Sequence, residues 1–237
     1  MQRTARVFTA TRTHRSCRGA NTSSTTRIGP RPRVLIPARH CHLHLRLPNA
    51  IVLFDGKDVS PWRSNSYRVV DGCLEAGGNI SPRTKESFGS FQLHLEWMVP
   101  ANYDGPWYNR GNNGVSIHGL YEIQIFDSFN EKWAPDGQCA AVYGQTPPHV
   151  NACRAPGEWQ SYDIAFRAPV LDGEKVMGPA RITMFHNGVL VHINPEIYGA
   201  TSHLQLPRPL KAAQGPIALA GHDCPVRFRN IWIRKLD

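Results

Sequence analysis

The sequence predicts an all-β fold, a sandwich or jelly roll of short antiparallel strands behind a long Arg-rich tail. Three observations predict it. From Ile51 onward, short apolar runs are cut at close intervals by Gly, Pro, Asn and Asp, residues that favour turns. Gln92-Leu-His-Leu-Glu-Trp and Arg227-Phe-Arg-Asn-Ile-Trp-Ile-Arg alternate in polarity as half-buried antiparallel strands do. No segment keeps the helical period of about 3.6 residues over several turns. The 237 residues suffice for one ordinary β domain with a sizeable core, and no internal repeat or second domain is visible.

Residues 1–48 stand apart. They hold ten arginines and no Lys, Asp or Glu, together with many Ser, Thr and Pro. The net charge of +9 therefore belongs to this tail: the other 17 basic residues face all 18 acids, leaving residues 49–237 near −1. The folded part is not basic, so nucleic acid is not an expected partner. The tail lacks hydrophobic periodicity, and the composition predicts disorder. None of its apolar stretches reaches the roughly 7–15 residues of a signal-peptide core, and no segment of the chain is apolar enough to span a bilayer. An Arg- and Ser-rich, acid-free segment fits an organelle transit peptide or translation from a misassigned start. His40-Cys41-His42-Leu43-His44 has the residues of a metal tract, but no fold around it to fix a geometry.

In residues 49–237 the apolar runs place strands at Tyr67–Val70, Cys73–Glu75, Gly89–Val99, Val115–His118, Tyr121–Phe126 and Trp159–Arg167. Further strands fall at Ala180–His186, Val189–His192, Ile217–Ala220 and Val226–Lys235. Asn187-Gly188, between the alternating runs Arg181–His186 and Val189–His192, is the preferred type I′ hairpin signal.

One segment bears on function. Gly119-Leu-Tyr-Glu-Ile-Gln-Ile-Phe-Asp-Ser128 sets Glu122, Gln124 and Asp127 inside an apolar, β-branched run. Alternation puts Glu122 and Gln124 on one face and Asp127 on the other, unless a β-bulge between Ile125 and Asp127 brings all three together. Polar side chains lined up on one strand face are costly in a core and useful on the floor of a groove.

These residues also carry a resemblance. Leu53-Phe-Asp-Gly-Lys-Asp, Trp62, Val70-Asp-Gly, Thr84-Lys85 with Phe88-Gly89, and Leu95-Glu-Trp97 resemble the 3-keto-disaccharide hydrolase domain family. So do Arg110-Gly-Asn-Asn-Gly-Val, Tyr121-Glu-Ile-Gln-Ile-Phe-Asp-Ser, Gly157-Glu-Trp-Gln, Gly215-Pro-Ile, His222 and Phe228-Arg-Asn-Ile-Trp-Ile-Arg. The blocks run in order over about residues 51–236. The resemblance implies a concanavalin A-like two-sheet jelly roll, related in shape to glucanases, and cleavage of glycosides already oxidised to a ketone at C3. Ala220 and Asp223 stand where the family usually shows Gln and Gly, and Asn113 where it usually shows Ser.

Glucanases of this shape use Glu-x-Asp-x-x-Glu; here the positions read Glu122-x-Gln124-x-x-Asp127. A retaining glycosidase needs two carboxyl groups about 5–5.5 Å apart, and a neutral amide between them disfavours ordinary double displacement. A 3-keto sugar asks for less. Its ketone acidifies the C2 proton, one base removes it, and the C1 oxygen leaves by β-elimination before water adds to the enone. Glu122 is then the candidate base, Gln124 the orienting group, Asp127 the acid or organiser, and His222 an alternative acid or base. Arg110 and Asn112 are candidates to grip hydroxyls or the developing oxyanion.

Each role has a structural competitor. Glu122 can bridge to Arg110, Asp127-Ser128 can be a strand-ending Asx turn, and the glycines of Arg110-Gly-Asn-Asn-Gly read as turn chemistry. His222 can be a lone structural histidine. His118 shares the Glu122 face only if the following connection has three residues rather than two. Trp97, Trp159 and Trp232 lie in expected strands and read as core, whereas Trp107 and Trp133 lie in loops where they can stack on a sugar. Cys139 and Cys153 bracket a Pro-containing loop and can staple it in an oxidising compartment; otherwise they are free thiols. No cofactor is required by the sequence, although Glu122, Asp127 and Asp136 offer oxygen ligands to Ca²⁺ or Mg²⁺. The partner expected is a carbohydrate. Three readings stand: a 3-keto-glycoside-cleaving enzyme, a non-catalytic lectin-like sugar-binding module, and a glucanase-like hydrolase.

Overall fold

The computed structural model describes residues 47, 49–63, 67–132, 135–203, 205–208 and 212–236. The readings of the tail and of Trp133 fall outside the described residues. In chain order the strands are β1 (Ile51–Phe54), β2 (Arg68–Val70), β3 (Cys73–Glu75), β4 (Phe91–Met98), β5 (Asn113–Ile117), β6 (Tyr121–Ile125) and β7 (Gln160–Arg167). They continue as β8 (Val170–Asp172), β9 (Lys175–Gly178), β10 (Ala180–His186), β11 (Val189–Ile197), β12 (Ala218–Gly221) and β13 (Arg227–Lys235). One 3-10 turn, Trp107–Asn109, precedes β5.

All ten expected strands form, and β1, β8 and β9 are additional. β8 and β9 pair only with each other and leave Val170, Val176 and Met177 exposed. With no buried face they show no alternation in sequence. β11 runs five residues past its expected end at His192, through Pro195. It lies at the edge of its sheet, where a residue without an N–H is tolerated.

The strands build two layers. The large antiparallel sheet runs β11-β10-β7-β4-β13-β3-β2, with β1 also paired to β13, and the small sheet runs β12-β5-β6. Residues Ala140–Tyr143 extend the small sheet beside β6, through a bridge between Val142 and Ile123. Between the layers, Leu93, Leu95 and Trp97 of β4 meet Ile164 and Phe166 of β7 and Val115, Ile123 and Ile125 of the small sheet in one core. Phe91 and Phe166 stack at 5.1 Å, and Tyr121 of β6 lies 5.8 Å from Phe166 across the layers. Each such side chain contributes roughly 1.5–3 kcal/mol on burial.

Trp159 and Trp232 correct the expectation that strand tryptophans are core. A bulge in β13 between Arg229 and Trp232 coincides with Asn230 at φ 49°, and it sets Ile231 and Ile233 inward and Trp232 outward. There Trp232 stacks on His94 at 5.4 Å, while the Arg229 guanidinium sits 3.8 Å from the centre of the Trp159 ring. Around them His94 Nδ1 meets Asp163 Oδ1 at 2.7 Å, and Arg229 Nε donates to Glu96 Oε2 at 2.6 Å. Burial alone would lower the His94 pKa, but its hydrogen bonds to Asp163 and Glu96 outweigh burial and raise it to about 9.

Cys73, Cys139, Cys153 and Cys224 are all free thiols, and Cys139 Sγ lies 3.1 Å from Tyr162 Oη. Among the described residues, no helix is long and apolar enough to cross a membrane.

Candidate active site

The floor of the candidate site is the outward face of the small sheet. β5 and β6 pair without a bulge from Asn113↔Ile125 to Ile117↔Tyr121. This register sends Val115, Ile117, Tyr121, Ile123 and Ile125 into the core and leaves Gly114, Ser116, Glu122 and Gln124 on the other face. Ala218 and Ala220 of β12 lie opposite Ser116 and Gly114 and complete a floor of small residues.

Gly114 is not turn chemistry, as the sequence suggested. It lies within β5, and a Cβ built on it would come 2.3 Å from Glu122 Oε1. The glycine is the space into which the Glu122 side chain folds. Only Gly111 of that motif has the left-handed φ of a turn residue, at 74°.

Glu122 is half-buried, and among the described residues neither an ion pair nor a hydrogen bond to its carboxylate occurs. Its backbone is fixed instead: its N–H donates to Thr201 Oγ1 at 3.0 Å and its carbonyl accepts from the Tyr143 N–H at 3.0 Å. Burial pushes the carboxyl up to about 7. A carboxylate held without a cation on a rigid strand, with its pKa near neutrality, has the properties of a general base.

Gln124, two residues on, is 5% exposed. Its Nε2 donates to the Gly137 carbonyl at 3.3 Å, which fixes the amide orientation because a carbonyl can only accept. The Oε1 atom is then buried without a partner among the described residues. An orphaned buried acceptor costs about 1–3 kcal/mol unless a ligand satisfies it, and a sugar hydroxyl is a suitable donor.

Asp127 is not on this floor. The expected bulge is absent, β6 ends at Ile125, and Asp127 turns toward Arg110, whose Nε lies 3.0 Å from Asp127 Oδ2. Asp127 Oδ1 also accepts the Phe129 N–H at 3.1 Å, an Asx turn. Arg110 further reaches the Asp127 carbonyl at 3.2 Å and Glu131 at 3.4 Å. Arg110 and Asp127 thus fasten the loop after β6, and the Arg110–Glu122 bridge does not form.

His118 departs from the register expectation as well. The connection does have three residues, yet a left-handed φ of 56° turns the His118 ring into the core. There it packs edge-on to Phe166 at 5.0 Å, with Nε2 3.3 Å from the Gly89 carbonyl. His222 follows β12 in phase with Ala218 and Ala220 and is exposed; burial of its surroundings lowers its pKa, and Asp223 opposes the shift. Asn112 stands at the entry to β5, its N–H on the Asn109 carbonyl at 3.2 Å. Trp107 is 77% exposed on the 3-10 turn, edge-on to Tyr108.

Two residues were missed from the sequence. The bridge between Ile123 and Val142 sets Tyr143 directly opposite Glu122 on the same face. Tyr143 Oη lies 2.7 Å from His203 Nδ1. No local motif announces either, since the pairing joins segments distant in sequence. The oxygen-ligand set of Glu122, Asp127 and Asp136 is not assembled, and no group of three His, Cys, Asp or Glu suited to a metal occurs among the described residues.

A family profile described as the 3-keto-alpha-glucoside-1,2-lyase-like domain matches residues 49–234. A solved structure from Parabacteroides distasonis ATCC 8503, provisionally assigned as a glycosyl hydrolase, is 39% identical with a TM-score of 0.75, over 79% of this chain and 84% of that one. Another from the same organism, assigned in the same terms, is 26% identical with a TM-score of 0.62, over 80% of this chain and 100% of that one. No protein of curated function matches. The two layers are the concanavalin A-like jelly roll expected from the sequence. With the profile spanning nearly all of the folded part, the chain belongs to the 3-keto-alpha-glucoside-1,2-lyase-like family.

Proposed function

We propose that this protein cleaves 3-keto-glycosides: Glu122 abstracts the C2 proton, the C1 glycosidic oxygen leaves by β-elimination, and water adds to the enone. The observation that carries the reading is the Glu122 carboxyl, unpaired on the floor of the small sheet and raised by burial to about 7. A 3-keto sugar needs one base of that strength, whereas a retaining glycosidase needs a second carboxyl close by. Asp127, the nearest candidate in sequence, is engaged by Arg110. Gln124 presents an unfilled acceptor to a substrate hydroxyl, and Arg110 with Asp127 organises the adjoining loop. A divalent cation remains a proposal to be tested by chelation and add-back.

The test is nitrophenol release from a nitrophenyl 3-keto-glucoside and from its unoxidised parent, each against an enzyme-free blank. Release from the keto substrate alone is expected, and Glu122→Gln should reduce it about 10³-fold. Release from the parent would favour a glucanase-like hydrolase. No release from either, with sugar binding retained, would favour a lectin-like module.

A further inference from the structure

Elimination at C1 needs two proton-handling groups, one to take the C2 proton and one to protonate the departing oxygen. Of the two residues named from the sequence for the second role, His222 lies past the end of β12, two strands from Glu122 in β6. Asp127 is ion-paired with Arg110 and turned off the floor. We propose that Tyr143 is the general acid of this site and that His203 is the positioning residue that orients and reprotonates it. The assignment rests on the elimination reading given above.

Geometry supports it. Tyr143 and Glu122 are directly opposed across the bridge at Ile123 and Val142, locked by the Tyr143 N–H to Glu122 carbonyl bond of 3.0 Å. Directly opposed residues on one sheet face have their Cβ atoms about 4.5–5.5 Å apart, close enough to serve adjacent atoms of one sugar ring. The phenol also senses the Glu122 charge: burial, then Glu122, then Asp136 raise its pKa, which keeps it protonated at neutral pH. Its hydroxyl is 2.7 Å from His203 Nδ1, and the two rings stack with centroids 6.4 Å apart. His203 is exposed, so it links the half-buried phenol to solvent protons. The segment carrying it is anchored at the same strand: Thr201 donates its N–H to the Leu120 carbonyl at 2.9 Å and accepts the Glu122 N–H through its hydroxyl.

The step balances without an outside reagent. The C2–H bond breaks and its proton goes to Glu122. The electron pair left on C2 forms the C1=C2 double bond as the C1–O bond breaks, passing through an enolate at C3. The departing oxygen takes the Tyr143 proton and leaves as an alcohol. Tyrosinate regains a proton from solvent through His203, and Glu122 returns one, so the net products are enone and alcohol.

A general acid matters in proportion to the basicity of the leaving group, which gives a readout that a purely structural role would not produce. The experiment compares Tyr143→Phe and His203→Gln with wild-type full-length protein on methyl and nitrophenyl 3-keto-glucosides. The methyl alkoxide needs a proton to leave, and nitrophenolate needs far less help. Tyr143→Phe should lose about 10²–10³-fold in kcat/KM on the methyl substrate and at least tenfold less on the nitrophenyl one. His203→Gln, a surface change that keeps the fold, should show the same selective loss at smaller size. Equal losses on both substrates with an unchanged melting curve, or no loss on either, would overturn the assignment. A wild type inactive on both keto substrates would instead overturn the elimination reading on which it rests.

Discussion

Glu122 sits where stability and activity pull in opposite directions. Its folded-state pKa of about 7 lies above the ordinary carboxyl value of 4.5, so folding disfavours its ionised form. The sign follows. Below about pH 4.5 the carboxyl is neutral in both states and there is no penalty. The penalty grows as pH rises through 4.5 to 7 and is constant above. Glu122→Gln should therefore stabilise the protein at pH 8 by on the order of 1–3 kcal/mol and by much less at pH 5, measured by denaturant titration at both values. Activity should run the other way: wild-type kcat/KM on a keto-glycoside should rise with pH to a plateau, its limb centred near 7. A limb near 4.5 would mean that Glu122 is not the base. Gly114→Ala tests the space that Glu122 occupies, because a methyl group 2.3 Å from Oε1 must displace the carboxylate. The expected result is a drop of about a hundredfold in kcat/KM with little change in melting temperature.

The elements around the floor are held by contacts that short-range patterns did not reveal. β6 and its Glu-x-Gln spacing were legible, because alternation against an apolar run is a local signal. The fate of Asp127 was not, since it depended on whether a bulge formed, and Arg110, 17 residues away, decided the matter. That pair now belongs to the loop, and breaking it leaves a buried carboxylate without its cation. Arg110→Met should lower stability by on the order of 2 kcal/mol and speed hydrogen exchange at the Phe129 amide. Asp127→Asn keeps the Asx bond and should cost less; an Arg110→Met protein as stable as wild type would show that the ion pair does not hold the loop. His118 teaches the same lesson at a turn, where one left-handed φ outweighed the register that its spacing implied.

For the molecule as a whole, the two layers titrate in different windows. On the large sheet, burial opposes ionisation of Glu96, but hydrogen bonds to His94, Asn230 and Arg229 bring its pKa to about 2. Its contribution is present above about pH 4.5 and is lost as pH falls through 2. The raised His94 contributes fully below about pH 6.5, and that contribution is lost as pH rises through 9. Together with Glu122, whose penalty grows from about pH 4.5, these shifts place maximum stability near pH 4.5, with a decline toward pH 9. Denaturation midpoints across pH 3–10 should trace that curve, and His94→Gln should flatten its alkaline side.

The sequence by itself determined the all-β class, ten strands, the near-neutral charge of the folded part and the polar row on β6. These are encoded in residue type and period, which short stretches of chain carry whatever their distant neighbours are. Only the tertiary structure decided that Asp127 leaves the floor, that His118 enters the core and that Gly114 makes room for Glu122. It alone brought Tyr143 and His203 to the site, through a bridge between residues 19 apart and a side-chain contact between residues 60 apart. Such pairings are fixed by the total burial and hydrogen bonding of two layers closing on each other, a sum to which each local pattern adds only a part.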